Sequence, residues 1–157
     1  MCIRDRNRLS LLIWQTSNLW QSKVRHKLKE SEITLNEYLI LETIYLLQQE
    51  NINITQQDIC KNASIDRSVV SLRVSKLEEK NLISKQQPQD KRSDSLILTA
   101  AGNDLINNTI DNIVDLENEL FNKLGSEIFN FTNSLKLLLG KKIRIKAKLN
   151  DLSLIHI

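Results

Sequence analysis

A mainly α chain with one small β-hairpin is what the sequence predicts, on three observations. Only 3 glycines and 1 proline punctuate 157 residues, so long helices meet few breakers. Apolar residues recur three and four apart along most of the chain, the period of a helix that buries one face. The period shifts to that of extended chain only between Leu82 and Thr99, around the single proline, Pro88. A hydrophobic share of 41% suffices for a core, and the length suits one domain or one compact unit with appendages, which excludes a large multidomain enzyme.

The first helix is expected over about Leu9 to Leu28, where Leu9, Leu12, Ile13, Trp20 and Val24 share a broad face. Trp20 lies near the centre of that stripe, and Trp14, six residues earlier, about 120° around the wheel. The second helix has a full start signal: Thr34 as cap, Glu37 three residues on to close a capping box, and Ile33 with Tyr38 at the staple positions. It is expected to end near Gln49 as a buried support. A short third helix opens at Thr55 with Asp58 as reciprocal partner, and points Ile59 and Cys60 inward.

A polar link, Asn62 to Ile65, leads to Asp66, a cap for a fourth helix on which Val70, Val74 and Leu77 recur at helical spacing. Asn81, tolerant of the left-handed conformation, should end it. Leu82 and Ile83 then open one strand, Gln86 to Ser93 form a polar tip, and Ser95 to Thr99 return as the second strand. Thr99 caps a fifth helix whose Ile106, Ile110, Ile113, Leu116, Leu120 and Leu124 make a seam of about five turns. Gly125 and Ser126 separate it from a sixth helix bearing Ile128, Phe129, Phe131, Leu135 and Leu138, stopped by Gly140.

Helix, tight link, helix and hairpin in that order make a winged helix-turn-helix. Helices one, five and six lie outside it, and their apolar faces suit a helical dimerisation region. The expected divisions are therefore an N-terminal dimerisation helix over 7–33, a winged DNA-binding domain over 34–100, and C-terminal dimerisation helices with a basic tail over 101–149. The ends, 1–6 and 151–157, read as translated adapter remnants, non-native to the natural reading frame.

Charge is placed by region. The formal net charge is +3, but from Asp66 to Arg92 seven basic residues face four acidic ones, from Asp104 to Glu119 there are five acids and no base, and from Lys136 to Lys148 six bases and no acid. One surface can thus meet a polyanion while another stays acidic. The alternating Lys/Arg and Ile of the last segment fits a phosphate-facing extension or a solvated end equally well.

The chain resembles the MarR-type family of bacterial winged helix-turn-helix transcription regulators. The likeness rests on Thr55-Gln56-Gln57-Asp58-Ile59 and Asp66-Arg67-Ser68-Val69-Val70-Ser71 at the starts of the two reading-unit helices. It continues through Leu77-Glu78-Glu79-Lys80-Asn81-Leu82-Ile83, Asp90-Lys91-Arg92-Ser93 in the wing, and Leu98-Thr99 followed by Gly102. It spans roughly Leu9 to Leu139. What the resemblance implies is a symmetric homodimer on double-stranded DNA with a pseudo-palindromic operator. Its recognition helices would lie in successive major grooves and its wings in adjacent minor grooves. Most such proteins repress transcription and leave DNA when a small, often anionic or phenolic, ligand binds.

On the wheel of the fourth helix, with Arg67 at zero, Ser71, Ser75, Ser68 and Leu72 fall at about 40°, 80°, 100° and 140°, opposite Val70, Val74 and Leu77. The candidate DNA contacts are Arg67, Ser68, Val69, Ser71, Leu72 and Ser75 on that helix, with Lys91 and Arg92 in the wing. Asp90 is a wing support, matching the family's Asp-x-Arg element in which the carboxylate orients the guanidinium. The family more often has Arg where Leu72 stands and Leu where Arg73 stands. Trp14, Trp20 and Tyr38 are candidates for an effector pocket.

Cys60 reads as core filler, lacking a neighbouring cluster that would activate a thiol. His26 and His156 are the only histidines and lie far apart, so neither metal nor other cofactor is called for. No phosphate loop, HExxH, nucleophile elbow or catalytic triad pattern is present, so the chain is not read as an enzyme. No run approaches 18 apolar residues and no secretory signal pattern opens the chain, which puts the expected address in the cytoplasm and off the membrane. The function expected is a sequence-specific transcriptional regulator, a repressor released by a small effector; the alternatives are a constitutive regulator without effector and a winged protein-interaction module.

Overall fold

The computed structural model describes residues 5–50, 53–87 and 94–144. Its order is α1 (Leu9–Leu28), a 3-10 turn (Lys29–Ser31), α2 (Leu35–Leu47), α3 (Gln56–Ala63), α4 (Arg67–Glu79), β1 (Ile83–Gln86), β2 (Ser95–Leu98), α5 (Ala100–Phe121), a 3-10 segment (Asn122–Glu127) and α6 (Ile128–Leu138). A mainly helical chain with one antiparallel hairpin is therefore observed, the winged helix fold expected from the pattern. The chain divides into two compact units, one ending at Glu117 and one beginning at Asn118.

In the first unit α2 is the hub, packed against α1, α3, α4 and β2. Both of its expected start signals operate. Thr34 Oγ1 accepts from the Glu37 backbone N–H, and Glu37 returns the bond to the Thr34 N–H. Ile33 and Tyr38 are both buried. The helix ends at Leu47, a turn fraction earlier than the Gln49 expected, with Gln48 as its C-cap. The same reciprocal box, Thr55 with Asp58, starts α3.

Between α3 and α4 the chain turns at Ser64, whose φ of 53° is left-handed, a conformation usually left to glycine or asparagine. Asp66 occupies the N-cap of α4, but its side chain makes no capping bond. Asn81 ends the helix with φ 58° as expected. Its N–H bonds the Glu78 carbonyl while the Leu82 N–H reaches back to Leu77, a Schellman closure. Because Leu82 is spent on that closure, β1 begins one residue later than the sequence suggested, at Ile83.

The strands pair Ile83 with Leu98 through Gln86 with Ser95, and the Leu96 N–H bonds the Ile54 carbonyl at 2.7 Å, pinning the chain before α3 onto β2. Thr99 is not strand but cap: its Oγ1 accepts from the Gly102 N–H and donates to the Asn81 carbonyl. Gly102 sits so close to the hairpin base that a Cβ there would lie 2.0 Å from the Leu82 carbonyl oxygen. Only glycine fits.

α5 buries Gly102, Ile106, Thr109 and Ile113. The seam expected to run on a single helix to Leu124 stops short, since the helix ends at Phe121 and Leu124 lies in the 3-10 segment, where Gly125 takes φ 55°, ψ −126°. In the second unit α6 buries none of its residues. Gly140, at φ 69°, closes it, with the Lys141 N–H bonded to the Lys136 carbonyl. Asn133 then exchanges bonds with the Arg144 backbone, holding the start of the basic segment beside α6.

Candidate nucleic-acid interface

α4 is fixed by an apolar stripe and leaves the opposite face to solvent. Val70, Val74 and Leu77 are fully buried against α2, α3 and β1. Arg67, Ser68, Ser71, Leu72 and Ser75 are exposed, and Val69 is half-buried at the edge. Five of the six helix candidates thus share one open surface. The Ser75 hydroxyl donates to the Ser71 carbonyl at 3.1 Å, which spends its proton within the helix. Asp90, Lys91 and Arg92 lie outside the described residues.

Beside this face the starts of α3 and α4 and the entry to β2 enclose a cleft of about 250 Å³ lined by Thr55, Gln56, Gln57, Arg67 and Asp94. Two helix N-termini and a guanidinium around one hollow favour an anionic group, with Asp94 the opposing charge. Arg67 is one of the contacts expected from sequence; Gln56 and Gln57 are not, although both stand in the first turn of a reading-unit helix.

Pairing decides where the positive charge acts. Lys76 lies 3.5 Å from Glu79, and Lys85 3.9 Å from Glu78. Lys80 donates to both Glu37 carboxylate oxygens, at 3.1 and 3.2 Å, and to the Glu32 carbonyl. Burial alone would raise the Glu37 carboxyl, but the Thr34 N–H and the Lys80 ammonium hold it below its ordinary range. Lys80 is therefore an internal brace. Arg67 and Arg73 make no ion pair among the described residues, and Arg73 is half-buried with its Nε shut away from solvent and without a partner.

The effector candidates separate. Trp14 is 64% exposed. Trp20 is half-buried and donates its indole N–H to Glu117 Oε2 at 3.0 Å, joining α1 to α5. Tyr38 is buried, and its hydroxyl donates to Glu42 Oε1 at 3.4 Å. Burial first, then the charges of Glu42 and Glu117, push the Tyr38 hydroxyl well above its ordinary range, and burial followed by the Glu117 charge raises the Glu42 carboxyl. The structure thus brings Trp20 and Tyr38 to one acidic junction and leaves Trp14 out of it. Glu42 and Glu117 were not singled out from sequence; Glu42, four residues after Tyr38 on one helix, was the readable half.

Cys60 is half-buried against the core. Among the described residues no group of three or more His, Cys, Asp or Glu is placed to hold a metal ion, and no helix there is long and apolar enough to cross a membrane.

A helix-turn-helix with its second helix bare on one face, joined to an antiparallel hairpin, defines the winged class of DNA-binding proteins. Within that class, residues 33–93 match the model of the MarR family. The chain is 29% identical over 129 residues to the HTH-type transcriptional regulator YdcH of Bacillus subtilis, covering 82% of this chain and 87% of that protein. It superposes on a MepR–DNA complex of S. aureus with a TM-score of 0.77 at 25% identity, over 87% of this chain and 97% of the other. Bordetella bronchiseptica BpsR, whose DNA binding is regulated by 6-hydroxynicotinic acid, shares the fold with a TM-score of 0.72 at 16% identity, over 85% and 99%. Over residues 33–93 the chain is thus similar to the MarR family, and the relatives it resembles along most of its length are DNA-binding transcriptional regulators.

Proposed function

We propose that the protein is a homodimeric, cytoplasmic repressor that holds a pseudo-palindromic operator through two copies of α4 and leaves it when a small molecule binds. The observation that carries the DNA half is the bare face of α4 beside the Arg67 cleft. The family's DNA-bound relative, MepR, supports the same use of the fold. Arg67 and the first turn of α3 take backbone phosphate, while Ser68, Ser71, Leu72 and Ser75, with Val69 at the margin, face the base edges. In the wing, Lys91 and Arg92 supply charge to the adjacent minor groove and Asp90 orients Arg92, as the family resemblance implies.

Dimerisation supplies the second reading helix. The apolar residues of the first half of α1, Leu9, Leu12 and Ile13, and those of α6 stand largely in solvent in the single chain, and a second copy covering them satisfies both. The effector seat is the junction of Trp20 and Tyr38. Glu42 and Glu117 repel a carboxylate there, so the neutral phenol is favoured over the anion, its hydroxyl donating to a carboxylate oxygen.

Sequence-selection binding on the purified protein, at two salt concentrations, tests the DNA half. The expected result is an inverted repeat with half-sites about one helical turn, roughly 34 Å, apart. Weak, steeply salt-dependent binding with no preferred sequence would leave only charge attraction to polyanions and remove the proposal. For the effector half, a Trp14→Phe variant reports Trp20 emission alone. A phenol should shift that emission saturably and weaken operator binding, whereas a benzoate of similar size should do neither.

A further inference from the structure

We propose that Leu72 sets a thymine preference in each half-site by packing against the thymine C5-methyl group, an inference that rests on the DNA-reading assignment of α4 above. The buried residues Val70, Val74 and Leu77 fix the inward direction of the helix, and the outward pole lies opposite them, at about 127° from Arg67 on the wheel. Leu72, at about 140°, stands nearest that pole in the middle of the helix. It is 53% exposed. Whatever base edge lies under the centre of α4 meets this side chain first.

Its neighbours add little reach. Ser68, Ser71 and Ser75 are exposed but short, and the Ser75 proton is already committed to the Ser71 carbonyl. The residues able to make paired hydrogen bonds to guanine are displaced to the two shoulders. Arg67 is at the helix start beside the cleft, and Arg73 is half-buried with its Nε enclosed. Lys76, nearer the end of the helix, is engaged by Glu79.

The centre of the face therefore offers an apolar knob ringed by small hydroxyls. In the major groove the one apolar feature any base pair presents is the thymine methyl, and leucine gains nothing from the N7 and O6 acceptors of guanine or the amino group of cytosine. Leu72 thus contributes by burying methyl surface and by leaving a competing polar edge unpaired.

The test uses the full chain and the duplex recovered by sequence selection. Each thymine is replaced singly, then in both half-sites, by deoxyuridine, which lacks only the methyl group, and binding is followed by fluorescence anisotropy at fixed salt. One thymine per half-site should be sensitive, with affinity falling about fourfold for one methyl and about 15-fold for both. Leu72→Ala should bind the thymine and uracil duplexes equally, with an unchanged thermal melt because the side chain supports no core. A selected operator with no methyl-sensitive thymine, or a uracil penalty that persists in Leu72→Ala, overturns the Leu72 assignment while leaving α4 as the reading helix. Failure to select any operator overturns the DNA-reading assignment itself.

Discussion

The winged half of the chain and its C-terminal helix are written in the same apolar periodicity and end differently. On α4, Val70, Val74 and Leu77 disappear completely into a core shared with α2, α3 and β1. On α6 the residues at equivalent spacing, Ile128, Phe131, Leu135 and Leu138, remain exposed, Leu138 at 69%. The first half of α1 behaves like α6, while its second half, at Val24 and Leu28, behaves like α4. Periodicity thus tells which face of a helix is apolar, and the rest of the chain decides whether anything covers it.

Substitutions can break that contrast in graded steps. Leu77→Ala leaves a hole in the winged core and should cost about 2–5 kcal/mol in chemical denaturation, whereas Leu138→Ala, in an exposed position, should stay within about 0.5 kcal/mol when the chain is monomeric. Gly102→Ala should cost about 3 kcal/mol, since the new methyl must push the Leu82 carbonyl out of the hairpin base. Thr55→Ala removes one half of the α3 capping box, with an expected loss of about 1 kcal/mol.

Two carboxylates on α2 respond to pH with opposite signs. Glu37 has a lowered folded pKa, so its contribution is present above its unfolded pKa and is lost as the pH falls through the folded value. Glu42 has a raised one, so its contribution is present below the unfolded pKa and is lost as the pH rises through the folded value. Glu37→Gln should therefore flatten the acid side of the stability profile and weaken the protein at neutral pH, while Glu42→Gln should stabilise it at neutral pH. Melting temperatures collected across the carboxylate range check both signs.

Much of this was legible because it is local. The boxes at Thr34 and Thr55, the left-handed Asn81, the Thr99 cap and the break at Gly125 each involve residues within a few positions, and each occurs where the pattern put it. Two boundaries moved by a few residues where neighbouring local signals overlap. Leu82 is taken from the strand by the end of α4, and the seam leaves its helix at Phe121.

Of the reading face, the open side of α4 followed from the wheel, but its electrical character did not. Lys80 is drawn to a partner 43 residues away and Trp20 to one 97 residues away. No window of neighbouring residues contains either pair. The count of basic residues between Asp66 and Arg92 therefore overstated the charge free to meet DNA, since Lys76, Lys80 and Lys85 all have acidic partners.

In the proposed dimer the winged unit is complete within one chain, while a second copy covers the exposed helical faces, so that operators are read in pairs. The direct measurement is light scattering with size separation, on the protein alone and on a selected inverted repeat. Two chains in solution and two per duplex are predicted, with a charge at Leu12 or Phe131 lowering both the dimer fraction and operator affinity. A monomer that binds the full inverted repeat as tightly as its half-site, one chain per duplex, would rule out the proposed dimer.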